Sequence, residues 1–303
     1  MVPLGGLQMK RWVFSMLAIV HALSLALFGC SEPPAAASAP RNAPTTVQGT
    51  RVTCIDVGKG DCILVQAGTS AVLIDTGFQD TADDVLAVMQ ERGASHLDAL
   101  IITHYDRDHV GGLSAIVGDA DIDMVYLPGY VGADKNYKTV SKALEGSGLA
   151  TQPVTEEVRI ALGEGQLAIH PSDVDYVPDA NGDEGNDNDV SLVVTLTHGG
   201  DSYLFAGDLE REGIEAYLRA GHGHFDVLKM PHHGEGDGST DELLDDVRPT
   251  IALITDSTDD PADKKVLKLL RKRDVDTYRT SECGTIVVEG DGAGTYEVTV
   301  GNT

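Results

Sequence analysis

Two histidines and two carboxylates fall within six residues of the stretch Thr103-His104-Tyr105-Asp106-Arg107-Asp108-His109-Val110-Gly111-Gly112. Imidazole and carboxylate are the side chains that hold zinc and similar divalent ions. The stretch follows the apolar run Leu100-Ile101-Ile102 and ends in paired glycines, which let the backbone pass close to a site without a Cβ clash. A solvated acidic loop after a strand would need neither both histidines nor their order. The spacing therefore points to a loop built around metal.

Further candidate ligands stand just past other apolar runs. Asp75 follows Val72-Leu73-Ile74, Asp208 follows Leu204-Phe205-Ala206-Gly207, and His232-His233 follow Val227-Leu228-Lys229-Met230-Pro231. Taken singly, an Asp after a strand is more often a cap or turn residue. Taken with the loop at 104–109, they amount to the ligand number of a dinuclear site with a bridging carboxylate.

The elements that must position these residues alternate in type. Arg51–Val57 and Asp61–Ala67 read as a hairpin, Ala71–Asp75 and Leu97–Ile102 as strands, and Thr81 to about Arg92 as a capped helix between them. Further strands are expected at 124–127, within 157–170, at 192–196, 203–205, 225–230 and 250–254. Helices are expected around 138–144 and 210–219, from near Thr240, and from Pro261, a residue suited to a first helical position. Residues 171–189 read as an Asp/Asn/Gly/Pro loop, and three short strands close the chain. Interleaved strands and helices with two meanders imply an α/β fold of two facing mixed sheets with helices outside, a four-layer αββα sandwich.

With the order of motifs in view, the chain resembles the metallo-β-lactamase superfamily, and within it the extracytoplasmic hydrolase domain of ComEC-type competence proteins. Five pieces carry the likeness, between about residue 50 and Ile286. They are Ile55-Asp56-Val57-Gly58-Lys59-Gly60-Asp61 with Leu73-Ile74-Asp75-Thr76-Gly77; His104-x-Asp106-x-Asp108-His109; Asn188-Asp189-Val190-Ser191-Leu192; Phe205-Ala206-Gly207-Asp208; and Pro231-His232-His233-Gly234-Glu235. The resemblance implies two divalent metal ions, zinc or manganese. His104 and Asp106 would hold the first, helped by Asn188. Asp108, His109 and His233 would hold the second, and Asp208 would bridge them. Asp75 would orient a ligand histidine, and His232 would contact substrate or donate a proton. Asp208, His232 and Asp108 then take direct parts in hydrolysis by water activated at the ions. Arg279 and Thr280 are candidate substrate contacts, with surface strand residues as the plainer reading.

Asp106 stands where commoner members place a histidine, which adds an oxygen ligand and makes the first site harder and open to manganese as well as zinc. The resemblance implies a phosphoesterase or phosphodiesterase acting on a phosphoester or nucleic-acid-like substrate. A lactonase or other carboxylic-ester hydrolase of the same fold is the enzyme alternative, and a non-catalytic metal-binding surface module is the alternative of another class. The strand at 250–254 leads into Thr255-Asp256-Ser257 without the His-Pro of competence proteins. Neither their membrane channel nor their nucleic-acid-binding domain has a counterpart here, so DNA uptake is not implied.

The N-terminus is expected to be a targeting device. Lys10-Arg11, the apolar stretch from Trp12 and the sequence Leu27-Phe28-Gly29-Cys30 give residues 1–29 the order of a signal peptide ahead of a lipidated Cys30. Residues 30–49, rich in Pro, Ala, Ser and Thr, form a disordered tether to a hydrolase domain at 50–303. The expected location is exported and lipid-anchored in the cell envelope, on the periplasmic face of the outer membrane if the source is Gram-negative, since Ser31 follows the cysteine. No protein partner is indicated.

The net charge is −26, and loss of residues 1–29 removes Lys10 and Arg11 but no acid, leaving −28. So acidic a surface opposes tight non-specific nucleic-acid binding, which rests on Lys and Arg. Cys54, Cys62 and Cys283 read as small buried residues, and the hairpin register disfavours a bridge between the first two.

Overall fold

A computed structural model describes residues 45–178 and 185–301. The expected leader and Cys30 lie outside the described residues. The first strand, Val47–Cys54, begins inside the segment expected to be tether, because Val47 is buried opposite Gly68. Among the described residues, no helix is long and apolar enough to cross a membrane.

Two large mixed sheets form the body of the fold. The first runs in the order Tyr296–Val300, Ile286–Gly290, Val47–Cys54, Ile63–Gly68, Ser70–Ile74, Ala99–Ile101, Val125–Pro128, Thr151–Val154. The second runs Asp276–Arg279, Ile251–Ile254, Val227–Lys229, Asp201–Phe205, Val193–His198, Gly165–His170, Val158–Leu162. Side-chain alternation divides each strand between two cores. Ile63, Val65, Val72 and Ile101 of the first sheet meet Leu167, Val194, Phe205 and Val227 of the second in a central core. Leu64, Leu73 and Leu100 face the other way, against Val85 and Met89 of helix Ala82–Glu91 and Leu113 and Ile116 of helix Leu113–Asp119. On the far side, Leu204, Leu228 and Ala252 pack against Ile214 of helix Arg211–Ala220, Leu244 of helix Thr240–Val247 and Leu270 of helix Lys264–Lys272. The four-layer αββα order is therefore present. Burial on both faces is why these strands read as continuous apolar runs rather than alternating ones.

Several local expectations needed correction. Helix Leu113–Asp119 and strand Thr151–Val154 were not anticipated; the helix is short and glycine-led, and the strand has a single buried residue, Val154. Helix Lys264–Lys272 starts after Asp263, so Pro261 lies outside it. Asp256 accepts from the backbone N–H of Ala262 and holds that turn in a non-helical course. Cys54 pairs with Ile63, one residue from Cys62, so the register sets the two cysteines closer than expected. Both Cys54 and Cys62 are free, as expected; Cys54 lies in the central core and Cys62 in the outer one, on opposite faces of the sheet. Burial, then the nearby Asp61, pushes the Cys54 thiol up to about 12, so it behaves as a small apolar residue.

The parallel part of each sheet decides where the site lies. Ser70–Ile74, Ala99–Ile101 and Val125–Pro128 run parallel, as do Asp201–Phe205, Val227–Lys229 and Ile251–Ile254. Their carboxyl ends open on loops that carry Asp75, Thr103 to His109, Asp208, His232-His233 and Thr255. Ligands commonly bind outside the carboxyl ends of parallel strands for this reason.

Candidate metal centre

The loop after Ala99–Ile101 is held by its own backbone. A short helix, Arg107–Val110, turns the chain at Asp106, and Thr76 donates its N–H to the carbonyl of His109 at 2.7 Å. Gly112 passes so close to this neighbour that a Cβ would come within 2.4 Å of the Thr76 carbonyl oxygen. The paired glycines thus serve close backbone approach, while His104 and His109 become fully buried.

Two Thr–Asp relays orient three histidines. Thr103 Oγ1 donates to Asp75 Oδ2 at 2.7 Å and so accepts from His104 Nδ1 at 3.0 Å. His109 Nδ1 donates directly to the same Asp75 oxygen at 2.8 Å. Thr255 Oγ1 donates to Asp61 Oδ1 at 2.6 Å and accepts from His233 Nδ1 at 3.0 Å. In each case the Nδ1 proton is used away from the cluster, which leaves Nε2 to face inward. Such outer partners fix ring orientation and raise ligand basicity.

The inward atoms converge. His233 Nε2 lies 3.0 Å from both Asp108 Oδ2 and Asp208 Oδ2, and His109 Nε2 lies 3.2 Å from Asp208 Oδ2 and 3.8 Å from Asp108 Oδ2. Ligand atoms of Asp108, His109, Asp208 and His233 all fall within 4.8 Å of one another. His104 Nε2 stands 3.7 Å from Asp106 Oδ2, and its ring centroid is 4.1 Å from that of His109. Two bonds to one ion of about 2.1 Å each allow ligand atoms up to about 4.2 Å apart, which accommodates each of these pairs.

The residues fit divalent metal on two further grounds. His104 Nε2 and His109 Nε2 are buried and make no hydrogen bond, a costly state unless something else accepts their lone pairs. The charges also ask for cations. Burial opposes the charge on Asp208, yet His109, His233 and Lys229 outweigh it and hold the carboxyl far below its usual range. Burial lowers His233, but Asp208 and Asp108 outweigh it and raise the imidazole to about 10. Protons there supply the positive charge that metal ions would bring, and binding would release them.

One cation is built in. Lys229 is fully buried, forms a short ion pair with Asp61, and places Nζ 3.2 Å from the Gly207 carbonyl oxygen and 3.4 Å from Asp208 Oδ1. It engages one oxygen of Asp208 and leaves Oδ2 to the histidines. Burial would discharge the ammonium, but Asp61 and Asp208 more than offset that, so it stays charged. Strain marks the same place: of five non-glycine residues with positive φ among those described, Asp75, His232 and His233 are three.

The remaining candidates separate. His232 sits at the rim, its Nδ1 3.5 Å from Glu210 Oε1. Asn188 joins it there, donating to the same Glu210 oxygen at 3.1 Å. Thr280 departs from expectation: it is buried and its hydroxyl donates to the Asp256 carbonyl oxygen at 2.8 Å, because the chain turns into a short helix, Thr280–Cys283. Arg279 is likewise committed, to Asp256 at 2.9 Å and to Glu282. Asp61, Lys229 and Thr255 were missed as partners of the centre. The available signals were a lone lysine inside the apolar strand Val227–Lys229 and the aspartate ending Gly58-Lys59-Gly60-Asp61.

Residues 55–255 match the metallo-beta-lactamase superfamily. The chain belongs to that superfamily. Its fold and its convergent histidines and aspartates are those of a metal-dependent hydrolase. Among characterised superfamily relatives, it is 29% identical over 258 residues to ComE operon protein 3 of Bacillus subtilis, covering 78% of this chain and 32% of that protein. It is also 29% identical over 210 residues to Recombination protein 2 of Haemophilus influenzae, covering 68% and 24%. The chain thus spans a third or less of these relatives. The competence-type likeness expected from the motifs holds. The metallo-beta-lactamase fold protein YhfI from Bacillus subtilis superposes with a TM-score of 0.51 at 13% identity, over 76% of this chain and 95% of YhfI, a likeness of fold.

Proposed function

We propose that this protein is a dinuclear metal-dependent phosphodiesterase acting on nucleic acid or a similar phosphoester. The observation that carries this reading is the oxygen-weighted ligand set, Asp106, Asp108 and Asp208 beside three histidines, which suits hard ions and phosphoryl oxygens. Bound there, divalent ions supply Lewis acidity and lower the pKa of water. The chain's own part is positional: Asp75 fixes His109 directly and His104 through Thr103, Asp61 fixes His233 through Thr255, and Lys229 fixes Asp208. His232, with Glu210 beside it at the rim, is placed to hand a proton to a leaving oxygen.

A groove next to the metal loop supports a phosphate-bearing substrate. It has a volume of about 770 Å³ and is lined by Arg107 and Lys135 against a single acid, Asp80. On a chain of net charge −26, that local excess of cations is a reversal. The Arg107 guanidinium lies 5.3 Å over the Phe78 ring, which puts a charge and an aromatic ring together in the lining.

The test is hydrolysis of bis-p-nitrophenyl phosphate, single-stranded DNA and a chromogenic lactone by the protein loaded with manganese or zinc. Phosphodiester hydrolysis is expected. Cleavage of lactone alone would replace this reading with that of a carboxylic-ester hydrolase, and no cleavage by a fully loaded protein would leave a binding module. Arg107→Ala should raise KM for single-stranded DNA about tenfold, the worth of one charge-assisted hydrogen bond, and more than it raises KM for the small ester. Equal changes for both substrates would remove the groove from the proposal.

The same reading places the protein outside the cytoplasm, anchored to the cell envelope through lipidated Cys30. The support is the order of basic, apolar and Gly29-Cys30 segments ahead of a Pro- and Ala-rich stretch. Cys30→Ala should move the protein from the membrane fraction to the soluble fraction of cells. Unchanged membrane association would exclude the lipid anchor.

A further inference from the structure

We propose that the pocket beside the metal loop, where Tyr130 stacks on Tyr176, is a subsite for one nucleobase of a single-stranded substrate. This rests on the phosphodiesterase reading above and names the part of the substrate that the cationic groove does not hold. The two ring centroids lie 4.3 Å apart at an interplanar angle of 22°. The pocket they line has a volume of about 250 Å³, with Val154, Val190 and Leu192 as further walls. It carries one acid, Asp175, and no lysine or arginine among its described residues. Its volume falls below the roughly 300–1,000 Å³ of a drug-sized ligand site, so it admits one ring system rather than a length of chain.

Hydrogen bonds and ring contacts tie this pocket to the metal loop. Tyr130 meets Tyr105, which stands between His104 and Asp106, edge to face at 5.2 Å. Leu192 N–H donates at 2.9 Å to the carbonyl of Thr103, directly before His104. Ser191, between the lining residues Val190 and Leu192, accepts at Oγ from Asp208 N–H at 3.3 Å. Tyr105 also meets Tyr137 at 5.0 Å, and Tyr137 belongs to helix Lys135–Ser147, whose first turns line the cationic groove. A row of four tyrosines therefore runs from the groove helix past the metal loop to the pocket, in a chain with only 5% aromatic residues. Core packing accounts for Tyr105, which is 3% exposed, but not for Tyr130 and Tyr176, which are only half-buried.

The loop bearing Tyr176 is held in place although neither a helix nor a strand carries it. Asn186 Oδ1 accepts from Val177 N–H at 2.7 Å, and Asn186 Nδ2 donates to the Asp175 carbonyl at 3.1 Å, one residue to either side of Tyr176. Ser172 Oγ fixes the start of the loop by donating to the Asp189 carbonyl at 2.9 Å. Beside the rings the surface is apolar and bare. Val131, 73% exposed, and Val177, 61% exposed, are two of the three exposed large hydrophobic residues among those described, and each is next in sequence to one of the stacked tyrosines. Apolar surface of this kind around a pocket marks a place that a ligand covers. Charge selects the ligand. At a net charge of −26, phosphate contacts can contribute little to affinity outside the groove, whereas an aromatic face attracts a base without any cation.

The experiment is fluorescence anisotropy of the metal-loaded full chain with two labelled strands. One is a short oligothymidylate, and the other has the same length and charge but lacks every base; both carry phosphorothioate linkages, which resist hydrolysis. The wild type should bind the thymidylate at least tenfold more tightly, the worth of one stacked base. Tyr176→Ala should erase that preference by weakening the thymidylate alone, Tyr176→Phe should keep it, and Asn186→Ala should reduce it. Binding of the base-free strand by Tyr176→Ala as by the wild type shows that the variant is folded. Equal affinity of the wild type for the two strands, binding of neither, or a loss in Tyr176→Ala that is the same for both overturns the subsite. Hydrolysis of bis-p-nitrophenyl phosphate separates the two claims. A protein that cleaves it yet shows no preference for bases loses the subsite alone, and one that cleaves no diester loses the reading on which the subsite rests.

Discussion

Lys229→Met will cost about 3–5 kcal/mol of folding stability in metal-free protein, the usual penalty for removing one partner of a buried ion pair. Lys229 has no solvent exposure and stands between Asp61 and Asp208, themselves 1% and 2% exposed. Its removal leaves two buried carboxylates with one fewer cation, on a domain whose total stability is only about 5–15 kcal/mol. Methionine matches the volume, so packing loss contributes little. Urea denaturation in chelator measures the effect. Adding Asp61→Asn should restore more than half of the loss, because the amide keeps an acceptor for Thr255 while removing one of the stranded charges. A single variant that loses less than about 1 kcal/mol would show that the pair is solvated rather than buried. Divalent metal should narrow the difference, since ions on Asp208 replace part of the missing charge.

Asp208→Ala will abolish hydrolysis, with kcat/KM falling by at least about 10³-fold, since transition-state charge stabilisation by a metal is worth several kcal/mol and each 1.36 kcal/mol is tenfold in rate. Asp208 Oδ2 is shared by His109 and His233, at 3.2 Å and 3.0 Å, so it stands at the middle of the buried cluster of Asp108, His109, Asp208 and His233. The variant should also bind fewer than two ions per chain, counted by metal analysis after dialysis. Asp208→Ala with two ions and full activity would sink the assignment of the bridge. Because the change also strands Lys229, stability must be read alongside activity; Asp208→Asn, which keeps the shape, separates the two effects.

Much of the fold could be read from the chain because burial leaves a periodic trace. The apolar runs at 72–74, 100–102, 204–206 and 227–230 marked strands buried on both faces, and the ligand-type residues stood immediately after them. Boundaries were harder. Helix Leu113–Asp119 is short and lacks an N-cap side chain, and helix Lys264–Lys272 starts only after Asp263 because the Asp256 turn consumes Pro261 and Ala262. Thr280 looked like a surface residue near the end of a strand, yet the chain turns there into the short helix Thr280–Cys283 and its hydroxyl bonds to the Asp256 carbonyl inside.

By itself, the sequence determined that His104, Asp106, Asp108 and His109 would sit on one loop, because residues so near in the chain cannot be far apart in space. It also determined the strand ends from which Asp75, Asp208 and His233 project. What only the tertiary structure decided is which oxygen meets which nitrogen across the two sheets. Asp61 and Thr255 are far apart in the chain, and Lys229 faces inward only because its strand places it on the same side as Val227 in the central core. Asn188 was expected beside the first ion, but its turn, Asn188–Val190, sends the amide to Glu210 at the rim. Side-chain direction in a turn depends on the backbone around it, and that is set by hydrogen bonds to Thr103 and Asp208 that adjacent sequence does not encode.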